Sequence, residues 1–162
     1  MDIFYFYRKD LNALDKKIRE YSEKIKAIGK EVGGACIEGA ETWHDNFAYE
    51  QGQRDMEMWS SEFIKLKQIR ERSRLIDPET SRGIVAIGRK ITVHCPETDQ
   101  ISVLKIGSYM LFAEEEDPSK NGYQEISYSS PLAQLIMLAK EGDQRTGEIG
   151  GQPKTLIIKK IE

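Results

Sequence analysis

The residues best equipped for chemistry stand together in the first third of the chain, where Glu38, Glu41, His44 and Asp45 fall within eight positions. Carboxylates on one exposed turn can share a hard cation such as Mg²⁺, but two or three side-chain oxygens do not complete its shell. A site of this kind needs further ligands from a partner. The same residues also fit an ordinary solvated turn. Trp43 and Phe47 beside them fit either a docking surface or a fold back onto neighbouring helices.

Elsewhere the chain lacks the usual catalytic signatures: no phosphate-binding glycine loop, no zinc-spaced cysteines and histidines, no nucleophilic serine elbow. His44 and His94 are the two histidines, and His94 alternates with Val93 and Cys95 in a strand pattern, which reads as structural. Cys36 and Cys95 build no disulfide framework and fit a reducing compartment. Lys65, Lys67, Arg70, Arg72 and Arg74 could face nucleic acid or an acidic protein, yet Glu62 and Glu71 among them suit a solvated helix face laced with ion pairs. Glu114 to Asp117 reads as an acidic loop.

Composition narrows the classes further. A chain of 162 residues with 31% charged residues and a net charge of -3 excludes a large multidomain enzyme and argues against holding nucleic acid by bulk charge alone. The longest apolar runs, Ile3–Tyr7 and Leu135–Ala139 among them, are five residues long, far short of a membrane span of about 18. Met1-Asp2 lacks the basic start of a signal peptide, so the expectation is a soluble, cytoplasmic protein without membrane contact.

Two kinds of element must position the acidic cluster. All five prolines, at positions 78, 96, 118, 131 and 153, lie in the second half, which separates a helical part, residues 1–77, from a turn-rich part, residues 78–162, with the boundary near Asp77-Pro78. In the first part, Tyr7, Leu11, Leu14, Ile18, Tyr21, Ile25, Ile28 and Val32 alternate at spacings of four and three, a heptad seam that predicts a helix from about Phe6 to Val32. Gly33-Gly34 weaken it, and a turn is expected between 33 and 45. Asp45 or Asn46 can cap a second helix reaching about Leu75, with Tyr49, Met56, Trp59, Phe63, Leu66 and Ile69 on its apolar side and Gly52 at one seam position. Two such helices with a short connection run antiparallel, and the acidic turn near 38–46 becomes the end of a hairpin.

The second part predicts short strands at Ile84–Ile87, Lys90–Cys95, Ile101–Ile106, Tyr109–Phe112 and Thr155–Ile161. Ser130-Pro131 opens a helix expected to run to Lys140. The fold class is therefore α+β, a helical hairpin followed by a twisted sheet with one helix on it.

This order of parts resembles the GreA/GreB family of bacterial transcript cleavage factors over nearly the whole chain. The family tip pattern, Gly-Asp-x-Ser/Lys-Glu-Asn-x-x-Tyr, aligns with Glu41-Thr42-Trp43-His44-Asp45-Asn46-Phe47-Ala48-Tyr49. Gly83 to Gly88 resembles the family's Gly-x-Val-x-x-Gly strand, and Ile126 to Ala133 its Ile-Ser-x-x-Ser-Pro-Leu-Ala/Gly segment. The resemblance implies a coiled-coil hairpin, then an FKBP-like domain that binds bacterial RNA polymerase, with Ser130, Pro131 and Leu132 as contacts. It also implies that the hairpin enters the polymerase secondary channel.

There Glu41 and Asp45 would act in trans and share a Mg²⁺ with the polymerase, with Thr42, Trp43, His44 and Asn46 as tip contacts. The chain then has no cofactor and no catalysis of its own, works as a monomer, and meets the RNA 3′ end and DNA only through the elongation complex. Thr42 stands where the family has its first tip aspartate, Asp45 where it has glutamate, His44 where it has Ser/Lys, and Leu138-Ala139 where it has Gly-Lys. Stimulated cleavage and inhibition by channel occupancy both fit that tip. From other classes, a coiled-coil adaptor and a prolyl isomerase are the alternatives, the latter short of aromatic residues for a deep pocket.

Overall fold

The structure is a computed structural model that describes residues 2–38, 47–76, 83–112 and 122–162. It divides into two compact units, one built from Leu11–Ser73 and the other from Ile3–Asp10 together with Arg74–Glu162. Asp77 and Pro78, where the sequence draws its boundary, lie outside the described residues.

The first unit is made by helix α1 (Arg8–Glu38) and helix α2 (Phe47–Glu71). Every predicted seam residue of α1 from Leu11 to Val32 is buried or half-buried, with Leu14 fully enclosed, and the same holds for Tyr49, Met56, Trp59, Phe63, Leu66 and Ile69 on α2. The cross-helix partners fix the direction. The Arg70 guanidinium forks onto Asp15 at 2.7 and 3.3 Å, Trp59 meets the edge of Tyr21 at 5.0 Å, and Gly29 faces Met56. Gly52 faces Val32. Positions rise along α1 as they fall along α2, so the helices are antiparallel. The Lys24 ammonium lies 3.5 Å from the Trp59 ring centroid, a cation–π contact that covers the seam from one side.

Gly52, which looks like a gap in the seam, leaves room for Val32: a Cβ placed there would overlap Val32 Cγ2. Gly33 and Gly34 are different: α1 runs through both to Glu38, and a Cβ on either meets nothing within 4 Å. Helix-interior glycine costs up to about 1 kcal/mol relative to alanine. Gly33→Ala and Gly34→Ala are therefore expected to strengthen the distal end of α1 by about 0.5–1 kcal/mol each. Slower amide hydrogen exchange around residues 30–38 checks this.

Apart from Ser73, which groups with the first unit, the second unit holds strands β1 (Phe4–Phe6), β2 (Ser73–Leu75), β3 (Lys90–Cys95), β4 (Gln100–Gly107) and β5 (Gln124–Ser127), helix α3 (Pro131–Ile136), and strands β6 (Gln144–Ile149) and β7 (Gln152–Ile161). The pair β1-β2 forms a small ribbon, and the other five form one mixed sheet in the order β5-β4-β3-β7-β6. Its pairs are antiparallel except β4 with β5. The β6–β7 hairpin closes on Gly150 and Gly151 at φ 63 and 78, the two left-handed positions that a tight primed turn demands. Ile91, Val93, Leu104, Ile106, Leu156 and Ile158 form the core with Ala133 and Ile136 of α3.

Several elements differ from their sequence-based expectation. Ile84–Ile87 is not a strand: the Val85 amide and carbonyl bond Ala139 and Leu138 instead of a ladder. Tyr109–Phe112 is not a strand either, since the Tyr109 N–H donates to the Tyr5 carbonyl at 2.9 Å. Phe6 belongs to β1 and Leu75 to β2, so α1 begins at Arg8 and α2 ends at Glu71. Helix α3 stops at Ile136, four residues before the expected Lys140.

Candidate functional site

Glu41, Thr42, Trp43, His44, Asp45 and Asn46 lie outside the described residues, between the last turn of α1 and the first of α2. What is described is their mounting. The chain passes from Glu38 to Phe47 between two antiparallel helices, and Phe47 is 73% exposed. Tyr49, two residues further, is half-buried and its hydroxyl accepts from Gln53 Nε2 at 2.5 Å. Among the described residues, no three His, Cys, Asp or Glu side chains are placed to hold a metal ion.

Ser130, Pro131 and Leu132 form the start of α3. Ser130 has extended backbone and its hydroxyl accepts from the Ala133 N–H at 3.3 Å, an N-cap, while Pro131 takes the first helical position. Leu132 packs on the core of the sheet unit. All three residues thus have a folding role, and Pro131 is the one left exposed.

The other end of α3 holds a feature that periodicity does not announce. Met137 caps the helix, and Leu138 follows it at φ 62, a left-handed conformation that costs a residue with a Cβ about 1 kcal/mol or more. Its N–H donates to the Val85 carbonyl at 2.9 Å, and the Val85 N–H donates to the Ala139 carbonyl at 2.8 Å, so the backbone there is clasped from both sides. Glycine would take this conformation freely, and the family resemblance places a glycine at this position.

A second site missed by sequence reasoning gathers on the segment Ile3–Asp10. Asp10 is 4% exposed and accepts the hydroxyl hydrogen of the fully buried Ser108, whose oxygen in turn accepts the Tyr7 N–H at 2.9 Å. Lys9 pairs with Glu125 at 3.0 Å, and the Tyr5 N–H donates to the Tyr128 hydroxyl at 3.1 Å. Phe4 packs on Tyr109 with centroids 4.3 Å apart. Burial, reinforced by the charge of Glu125, pushes the Tyr7 phenol up from its ordinary value, and burial raises Tyr128 as well. These groups anchor and orient: the one hydroxyl–carboxylate pair among them, Ser108 with Asp10, is buried.

His94 Nε2 lies 2.9 Å from Asp99 Oδ1 beside the β3–β4 turn. In the same turn Glu97 accepts the Thr155 N–H at 2.8 Å and the Cys95 thiol at 3.2 Å. Hydrogen bonding, that of Thr155 foremost, brings its carboxyl down to about 2 from 4.5. A depressed carboxyl contributes stability that is full above the ordinary value and is lost as pH falls toward the folded one. Glu97→Gln is thus expected to flatten the loss of thermal stability between about pH 4.5 and 2, measured by melts of both proteins across that range. The basic run on α2 is an ion-paired face in part: Lys65 pairs with Glu62 at 2.6 Å and Arg70 with Asp15, while Lys67 lies over the Phe63 ring.

Comparison with known proteins supplies the missing context. Residues 79–162, just over half of the chain, match the family model described as transcription elongation factor, GreA/GreB, C-terminal. The transcription elongation factor GreA of Saccharopolyspora erythraea is 26% identical over 153 residues, covering 91% of this chain and 90% of that protein. The crystal structure of the GreA factor homolog 1 protein of Thermus thermophilus covers 99% of both chains at 13% identity and a TM-score of 0.42. The GreA/GreB factor from Nitrosomonas europaea covers 99% of this chain and 98% of its own at 12% identity and a TM-score of 0.38. On the strength of the family match, the chain belongs to the GreA/GreB family of transcription elongation factors, which modulate RNA polymerase without catalysing a reaction of their own.

Proposed function

We propose that this chain binds bacterial RNA polymerase, passes its helical hairpin into the secondary channel and acts on backtracked elongation complexes through Glu41 and Asp45. The supporting observation is the antiparallel pair of helices, 31 and 25 residues long, whose connection carries those two acids in a chain of this family. At 1.5 Å per residue the longer helix extends about 46 Å, a reach suited to a narrow channel. The second unit, with an FKBP-like sheet and helix, docks on the polymerase through the start of α3. The chain works as a monomer, and RNA and DNA meet it only inside the complex.

The two tip carboxylates are hard oxygen donors of the kind Mg²⁺ takes, but they fill only part of its shell, so the polymerase provides the other ligands. Bound there, the ion would supply charge stabilisation and an activated water for cleaving the transcript. The chain's own part is to bring Glu41 and Asp45 to the site on a stiff support, with Tyr49 and the seam below fixing the start of α2. The altered tip also favours a second reading, inhibition by occupancy. Thr42 replaces an acid, and Glu41, one residue away, is rotated by about 100° if the helix continues.

Pull-down with core RNA polymerase, followed by incubation with stalled, backtracked complexes, tests both. Transcript shortening supports cleavage, and slowed nucleotide addition without shortening supports occupancy. Failure to bind the polymerase overturns the proposal.

A further inference from the structure

Leu138 is hard to account for from within the chain. Its backbone sits at φ 62, held there by the hydrogen bonds that join residues 138 and 139 to Val85, so any residue at this position must adopt the left-handed conformation. Its side chain is 66% exposed, one of the most exposed large apolar side chains among the described residues. Strain of this kind persists where surrounding structure imposes it, and it concentrates at sites that act on something else. Leucine here gains neither backbone ease nor burial.

We infer that Leu138 is an anchor that inserts into an apolar pocket on the RNA polymerase surface bound by the second unit, a specificity residue for that docking. The inference rests on the polymerase-binding reading above. The exposed part of a single leucine falls far short of the 1,200 Å² or more, about 600 Å² on each side, that a stable interface buries. Any contact it joins is therefore larger than this side chain, and the partner that membership of this family supports is RNA polymerase. Within such a contact, a buried apolar anchor surrounded by weaker contacts carries much of the affinity. Exposed Pro131 lies on the same short helix segment, at its other end.

The test uses the full chain and three variants, Leu138→Gly, Leu138→Met and Leu138→Lys, each measured for melting temperature and for affinity to core RNA polymerase. Leu138→Gly is expected to raise the melting temperature by about 2–5 °C, because strain is relieved, and to weaken polymerase binding by about tenfold, because the anchor is lost. Leu138→Met keeps an apolar side chain and is expected to bind like the parent, while Leu138→Lys binds as weakly as Leu138→Gly. Opposite signs on stability and affinity are the signature, since a purely structural role moves both together. Parent-like affinity in Leu138→Gly and Leu138→Lys overturns the inference while leaving polymerase binding intact. A parent chain that does not bind polymerase overturns both, and a parent dimer that Leu138→Gly dissolves assigns the leucine to a second copy and overturns it too.

Discussion

Asp45→Ala is expected to lower stimulated transcript cleavage by about a hundredfold, close to 2.7 kcal/mol at the transition state, with little change in affinity for the polymerase. The two readouts separate because the acid sits on the hairpin connection while docking is assigned to the sheet unit. A carboxylate that shares a metal must hold its oxygen in place, and a displacement of 1 Å costs about two orders of magnitude in rate. Asp45→Glu restores the length of the family's glutamate and is expected to match or exceed the parent rate. Gel analysis of transcripts from backtracked complexes reads both, with Glu41→Ala beside them. Unchanged cleavage in Asp45→Ala and Glu41→Ala would remove the metal-sharing role, and unchanged inhibition in both supports channel occupancy.

Asp10→Ala is the substitution with the largest expected effect on stability. The carboxylate is 4% exposed and receives a hydrogen bond from Ser108, which is itself fully buried. Deleting it strands that hydroxyl hydrogen in a dry site and opens a void in the first turn of α1. A buried donor left without its acceptor costs about 1–3 kcal/mol, and the void adds to it. A loss of about 2–4 kcal/mol, seen as a drop of several degrees in melting temperature, is the expected result. Ser108→Ala in the Asp10→Ala background should cost little more, because the two groups serve each other. Additive losses in that double variant would show that the pair is not one unit.

The helical hairpin was legible because a heptad seam repeats over many turns and the same residues that mark it are the ones the structure encloses. The central strands β3 and β4 were legible for the matching reason: Ile91, Val93, Leu104 and Ile106 alternate with polar neighbours. The edge strands were not. β5 reads Gln-Glu-Ile-Ser and β6 reads Gln-Arg-Thr-Gly-Glu-Ile, sequences with too little apolar alternation to signal a strand. Tyr109 and its neighbours look like a strand because aromatic residues favour strands, but their partners lie at the opposite end of the chain. Glu41 and Asp45 stand out by composition and spacing, and both lie outside the described residues. The burial of Asp10 and the strain at Leu138 were not, since both depend on contacts made far along the chain: Ser108 is 98 positions from Asp10, and Val85 is the clasp for Leu138.

The placement of Ile3–Asp10 within the second unit also bears on how the molecule is made. Phe4, Tyr5 and Phe6 are synthesised about a hundred residues before Tyr109 and Tyr128, the groups they pack against. At the usual pace of synthesis that is a wait of roughly 5–20 s. During that interval a sticky aromatic segment is exposed to chaperones and to other nascent chains. A fragment that begins at Arg74 would inherit the converse defect, its tyrosines bare where that segment should lie.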